Sequence, residues 1–286
     1  MPYSFLHPDL HSIADITKAR LEQKYNIRIT DFEKGFDSNV EYSPTFFGKT
    51  KSHYILCEVS TRPFPIQIKS IYADIQNQNL PVKLIVAYPD ELEISVRDLQ
   101  TDITNAKNFG IGLISVRTNN TLTIHSDPIS IPLFLPQASI GLSTFNSKFK
   151  HLIEDAYSVY SNGNPKHGVQ ELGQIIEQVI RNLAIQARRL GHYTNGVDPN
   201  LPGSPFATII DNLIGNGIVN VAFLNRARAY AEDRNGASHR INSLKKSLLQ
   251  ELKFKLDFQT GLRILSEIPT IFSNGKNGFK YKIVII

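Results

Sequence analysis

Apolar residues in the first half of the chain gather in short runs, whereas in the second half they recur every third or fourth position, so the structural period changes near the middle. His53–Ser60, Pro81–Tyr88 and Gly110–Val116 are brief, apolar and rich in β-branched side chains, the pattern of buried central strands. Helical spacing lies between them, over Ile66–Gln78 and Ser95–Asn108, and an opening helix is expected over His11–Tyr25. Thr118-Asn-Asn-Thr121 reads as a turn into a strand over Leu122–His125. Alternation of this kind predicts an α/β domain over residues 1–135 with a mixed or mainly parallel sheet covered by helices.

Pro128, Pro132 and Pro136 interrupt the chain before the helical period sets in, which places a linker near 126–145. Beyond it, Val169–Leu190 carries the clearest helical stripe. Phe206–Leu213 and Val221–Asp233 follow as shorter helices, and a fourth helix is expected to bury Ile241, Leu244, Leu248, Leu249, Leu252 and Leu256 with Lys245, Lys246 and Lys253 outside. Residues 145–272 therefore read as an all-α helical bundle, with 273–286 as a C-terminal tail.

Composition changes this picture in three ways. No apolar run approaches the roughly 20 residues of a bilayer span, so no membrane partner is expected, and the N-terminus lacks the basic and apolar segments of a secretory signal, which implies a cytoplasmic protein. Cys57 is the single cysteine, which excludes an intramolecular disulfide and a cysteine-built metal site and leaves a buried structural thiol. The net charge of +5 is unevenly divided: residues 1–140 hold 13 Lys and Arg against 15 Asp and Glu, and residues 141–286 hold 18 against 11. The basic half is compatible with a polyanionic partner and equally with a solvated basic surface.

Between the third and fourth helices of the basic half stands Asp233-Arg-Asn-Gly-Ala-Ser-His-Arg240, in which Arg234 and His239 are separated by four residues. RNA carries its own nucleophile in the 2′-hydroxyl, so a proton-transferring group and a cation suffice to cut it without metal. An imidazole with a pKa of about 6.5 can move the proton at neutral pH, and a guanidinium can hold the scissile phosphate through two hydrogen bonds. The structural alternative is that Arg234 and Asn235 cap helix ends. The arrangement resembles the HEPN superfamily, whose signature is Arg, four to six residues, then His within a small helical bundle. The resemblance covers about residues 145–270 and implies a metal-independent endoribonuclease that needs no cofactor. It implies Arg234, Asn235 and His239 as catalytic residues and a homodimer in which two motifs meet; Asp233 and Arg240 are candidate supporting residues, with a solvated helix-end acid as the alternative reading of Asp233. It further implies RNA, tRNA included, as substrate and toxin or anti-phage defence as the setting. Some relatives of this kind serve only to dimerise or bind, which keeps a non-catalytic scaffold as the alternative. His151, His167 and His192 lack ligand-like spacing and read as surface or loop residues.

The N-terminal order of helix, strand, strand bearing Glu58, helix, strand is similar to the restriction-endonuclease-like PD-(D/E)xK fold. Active members hold a divalent metal with an Asp on one strand and an acid, one residue and a Lys on the next. Here Pro44-Thr45 stands where Pro-Asp would be, and Glu58-Val-Ser60 has Ser in the Lys place. Glu41 or Asp37 is a candidate replacement for the acid and Lys69 for the Lys, which defines a metal-dependent DNA nuclease through Glu58 as a third alternative. The departures favour a degenerate domain that senses or targets, binding DNA, a nucleotide or a regulatory protein. The same domain order is that of nucleotide-activated CRISPR accessory ribonucleases, but no Gly-rich phosphate loop follows the first strand.

Overall fold

The computed structural model describes residues 6–31, 42–91, 95–117, 119–136, 140, 147–194, 204–233 and 243–285. The chain divides into two units, Met1–Pro136 with His239–Lys253, and Gln137–Ser238 with Phe254–Ile286.

In the first unit α1 (His11–Tyr25) is followed by β1 (Ile29–Asp31), β2 (Phe46–Lys49) and β3 (Tyr54–Val59), which pair as an antiparallel meander. The helix α2 (Ile68–Asn77) leads to β4 (Val82–Pro89), parallel to β3, and α3 (Val96–Asn108) leads to β5 (Gly112–Val116), parallel to β4. The strand β6 (Leu122–Ser126) returns antiparallel and completes a mixed six-stranded sheet in sequence order. Successive side chains of a strand point to opposite faces. Tyr54, Leu56, Leu84, Val86 and Leu113 accordingly join α2, Ala106 of α3 and Phe134 on one side, while Ile55, Cys57, Val59, Ile85, Ala87 and Ile114 join Ile13, Ala14 and Leu21 of α1 on the other. Both faces are covered, and so these strands are apolar without alternation.

Local chemistry sets the element ends. Ser95 accepts a hydrogen bond from the Asp98 amide at the start of α3, and its hydroxyl donates to the Asp98 carboxylate. Asn26 closes α1 in the left-handed conformation, with its amide on Glu22 O. Gly110, at φ +67, separates α3 from β5 and shortens the strand expected from residue 110.

In the second unit α4 (Ser147–Ser161) and α5 (Pro165–Arg189) are joined by three residues, and Pro165 occupies the first helical turn of α5. An added Cβ on Gly168 would lie 2.6 Å from Tyr160 Cβ and 2.7 Å from Ala156 O, so the two helices approach as only glycine permits. The helices α6 (Phe206–Gly215) and α7 (Val221–Asp233) pack against α5. From Phe254 onward α8 (Leu244–Ser273) belongs to this unit, where Phe258 meets the Tyr160 ring at 4.5 Å and Tyr230 donates to Val169 O. The C-terminal segment is bonded to α5: Asn182 donates to Val284 O, and the Gln186 side chain both donates to and accepts from the Lys282 backbone.

The leucine stripe expected of the fourth helix is buried only in part: Leu244 packs against the core of the first unit, and Ile241 lies outside the described residues. Leu249 (58% exposed), Leu252 (37%) and Leu256 (63%) face outward, whereas Ser247 (0%) and Glu251 (7%) face inward. The reason lies in polar partners that the sheet supplies to Glu251.

Candidate functional site

The Arg-Asn-x-x-x-His segment falls, in sequence, between α7, which ends at Asp233, and α8, which begins at Leu244. Arg234, Asn235, His239 and Arg240 lie outside the described residues, as does Glu41; Asp233 is described as the last residue of α7 by its backbone only. Around α7 the described framework is ionic. Arg228 bonds Glu232 and Asp211, and Arg226 bonds Glu267 of α8. On the same unit His151 is exposed beside Glu154 and His167 faces Glu171, while His192 sits in the loop after α5 with Nδ1 2.9 Å from the Tyr281 hydroxyl.

Of the other candidate site, Glu58 and Lys69 are described, and Asp37, like Glu41, lies outside the described residues. Glu58 points from β3 into a mostly buried niche where the Tyr42 hydroxyl donates to Oε2 at 2.6 Å and the Thr45 amide donates to the same oxygen at 3.3 Å. The Thr45 hydroxyl also accepts from Val59 N at 3.0 Å, so Thr45 ties β3 to the start of β2. Burial pushes the Glu58 carboxyl above its ordinary value, and the bonds from Tyr42 and Thr45 oppose that rise without cancelling it. The same burial, reinforced by Glu58, raises the Tyr42 phenol and the Cys57 thiol well above their ordinary values. Lys69 is exposed on α2 with its ammonium 5.8 Å from the centre of the Phe64 ring. Ser60, in the place of the expected Lys, accepts from the Arg62 amide. Thr45 and Glu58 are therefore brought together. Among the described residues no group of three or more His, Cys, Asp or Glu side chains is spaced to hold a metal.

Two polar clusters of the first unit have no signal in the sequence. At the ends of β4 and β5, Ser115 donates to Asp90 at 2.8 Å and meets His125 Nε2 at 2.8 Å, and Arg117 closes on the other oxygen of Asp90 at 2.6 Å. These bonds hold the Asp90 carboxyl below its usual range. The second cluster surrounds Glu251. His53 Nε2 lies 2.5 Å from Oε1, and the buried Ser130 hydroxyl donates to Oε2 at 2.7 Å. Lys83, whose strand bridges to Ser130, is held below its ordinary value by burial, an effect that the Glu251 charge opposes. Ser52 joins the other ring nitrogen of His53 at 2.8 Å. Residues far apart in sequence, on β4, in two loops and on α8, make this cluster, which is why no spacing rule finds it.

No helix among the described residues is long and apolar enough to cross a membrane. No family model, no curated protein and no solved structure matches the chain.

Proposed function

We propose that the protein is a metal-independent endoribonuclease of the HEPN type, active as a homodimer on RNA, with the α/β unit serving to sense a signal or direct the activity. One observation carries this reading: the Arg234-Asn235-x-x-x-His239 sequence joins two helices, α7 and α8, of a chain whose second half is helical and basic. In this mechanism His239 takes the 2′-hydroxyl proton and returns a proton to the leaving 5′-oxygen, Arg234 holds the phosphate as charge grows on its oxygens, and Asn235 orients either partner. The products are a 2′,3′-cyclic phosphate and a 5′-hydroxyl. The test is incubation of the pure protein with total RNA and tRNA in chelator, followed by end-group analysis.

The α/β unit is proposed as a degenerate restriction-endonuclease-like domain. Its order of helix, three-stranded meander, helix and parallel strand supports the likeness, and the Glu58 niche supports the degeneracy. A carboxylate that accepts from a phenol and a threonine amide, and that burial holds toward its protonated form, is poorly suited to a divalent cation. The competing reading of a metal-dependent DNA nuclease requires DNA cleavage that Glu58→Ala abolishes.

A further inference from the structure

The first turns of α8 present their two faces in reverse of the usual order. Leu244, Ser247 and Glu251 recur at three and four positions and so share one side, which packs inward. At 3.6 residues per turn Leu249 lies about 160° and Leu252 about 100° around the helix from Glu251, and they are 58% and 37% exposed. Leu244 packs against the apolar core, and polar bonds hold the next turn: Glu251 is fixed by His53 and Ser130, and the fully buried Ser247 hydroxyl has no hydrogen-bond partner among the described residues. This fixes the rotation of the helix, because turning the leucines inward would strand a doubly bonded carboxylate.

Charge says what would cover the leucines. Lys245 lies one turn before Leu249 on the same line, and Lys246 and Lys253 border it; all three are exposed. Between Leu244 and Lys253 the only acid is Glu251, on the buried face. A second copy of this surface would set lysines against lysines, which opposes self-pairing. We propose that α8 around Leu249 and Leu252 is a docking surface for an acidic amphipathic helix of a partner protein, with the two leucines as anchors and carboxylates opposite Lys245, Lys246 and Lys253. The proposal does not depend on the ribonuclease reading.

The probe is a labelled synthetic helix with leucines at three- and four-residue spacing and glutamates flanking them, compared by fluorescence anisotropy with the same peptide carrying lysines for the glutamates. The intact chain is expected to bind the acidic peptide only, with binding that weakens as salt rises. The double variant Leu249→Ala and Leu252→Ala, confined to exposed side chains and checked for unchanged circular dichroism, is expected to lose about tenfold or more in affinity. Absence of binding, equal binding of both peptides, or unchanged binding by the double variant overturns the proposal. So does a concentration-dependent dimer, or capture of anionic vesicles or RNA in place of the peptide, that the same double variant abolishes.

Discussion

His53 Nε2 stands 2.5 Å from Glu251 Oε1, and this contact joins positions 198 residues apart to pin the start of α8 to the α/β unit. With Ser130 on the other carboxylate oxygen, both acceptor atoms of Glu251 are engaged. A buried acid satisfied in this way specifies how a helix is rotated more strictly than apolar packing does, since an apolar face tolerates sliding and a bonded carboxylate does not.

Removal of Glu251 is therefore predicted to be more damaging than removal of either partner. Glu251→Ala leaves the Ser130 hydroxyl without its acceptor and Lys83 without its opposing charge, and is expected to cost about 2–4 kcal/mol, against about 1 kcal/mol for Ser130→Ala. Urea unfolding of the single and double variants at His53 and Glu251 measures the pair directly. Strictly additive effects would mean that the two side chains do not interact.

The Glu58 niche gives a pH dependence of defined sign. Its carboxyl is raised above the ordinary value in the folded protein, so the protonated form is the one that folding favours. The stability contributed by this group is fully present below the ordinary carboxylate range and is lost as pH rises through the raised value. Glu58→Gln should flatten this part of the pH profile of the unfolding midpoint. Tyr42→Phe, which removes a bond that lowers the Glu58 value, should move the loss to higher pH. A profile unchanged in both variants would contradict the burial argument.

Gly168 tests the contact of α4 with α5. Because an added methyl would overlap Tyr160 and the Ala156 carbonyl, Gly168→Ala is expected to destabilise the second unit by about 1–3 kcal/mol despite alanine's better helix propensity. A stabilised variant, read as a higher thermal midpoint, would show that the helices do not meet there as described.

The parts of the fold legible in the sequence are those in which one force decides. Tyr54–Val59 and Val82–Pro89 are covered on both faces, so a continuous apolar run announces them. Residues 165–189 bury one side of a long helix, and the spacing of Leu172, Ile176, Val179 and Leu183 shows it. The strands β1 and β2, at three and four residues, are too short to carry a period, and their pairing with β3 depends on residues distant in sequence. In α4, Phe149, Ile153, Ala156 and Tyr160 do carry helical spacing, although the sequence reading assigns no helix there. In α8, five leucines suggest a buried stripe, but Leu249, Leu252 and Leu256 face outward because Glu251 is turned toward His53 and Ser130, which no local pattern encodes. For the candidate sites, the sequence brings Arg234, Asn235 and His239 together by proximity in the chain alone, whereas the bonds from Tyr42 and Thr45 to Glu58 join residues 13 to 16 positions apart, which no spacing rule reveals.

On the proposed function, His239 moves a proton at a scissile RNA phosphate. The most direct measurement compares the pure protein with its His239→Ala variant on total RNA and tRNA in excess chelator, with the product ends identified. Cleavage with 2′,3′-cyclic phosphate and 5′-hydroxyl ends is expected in the parent, with a loss of about a hundredfold or more in rate in the variant. Cleavage that persists unchanged in the variant, or that the chelator abolishes in the parent, would contradict it.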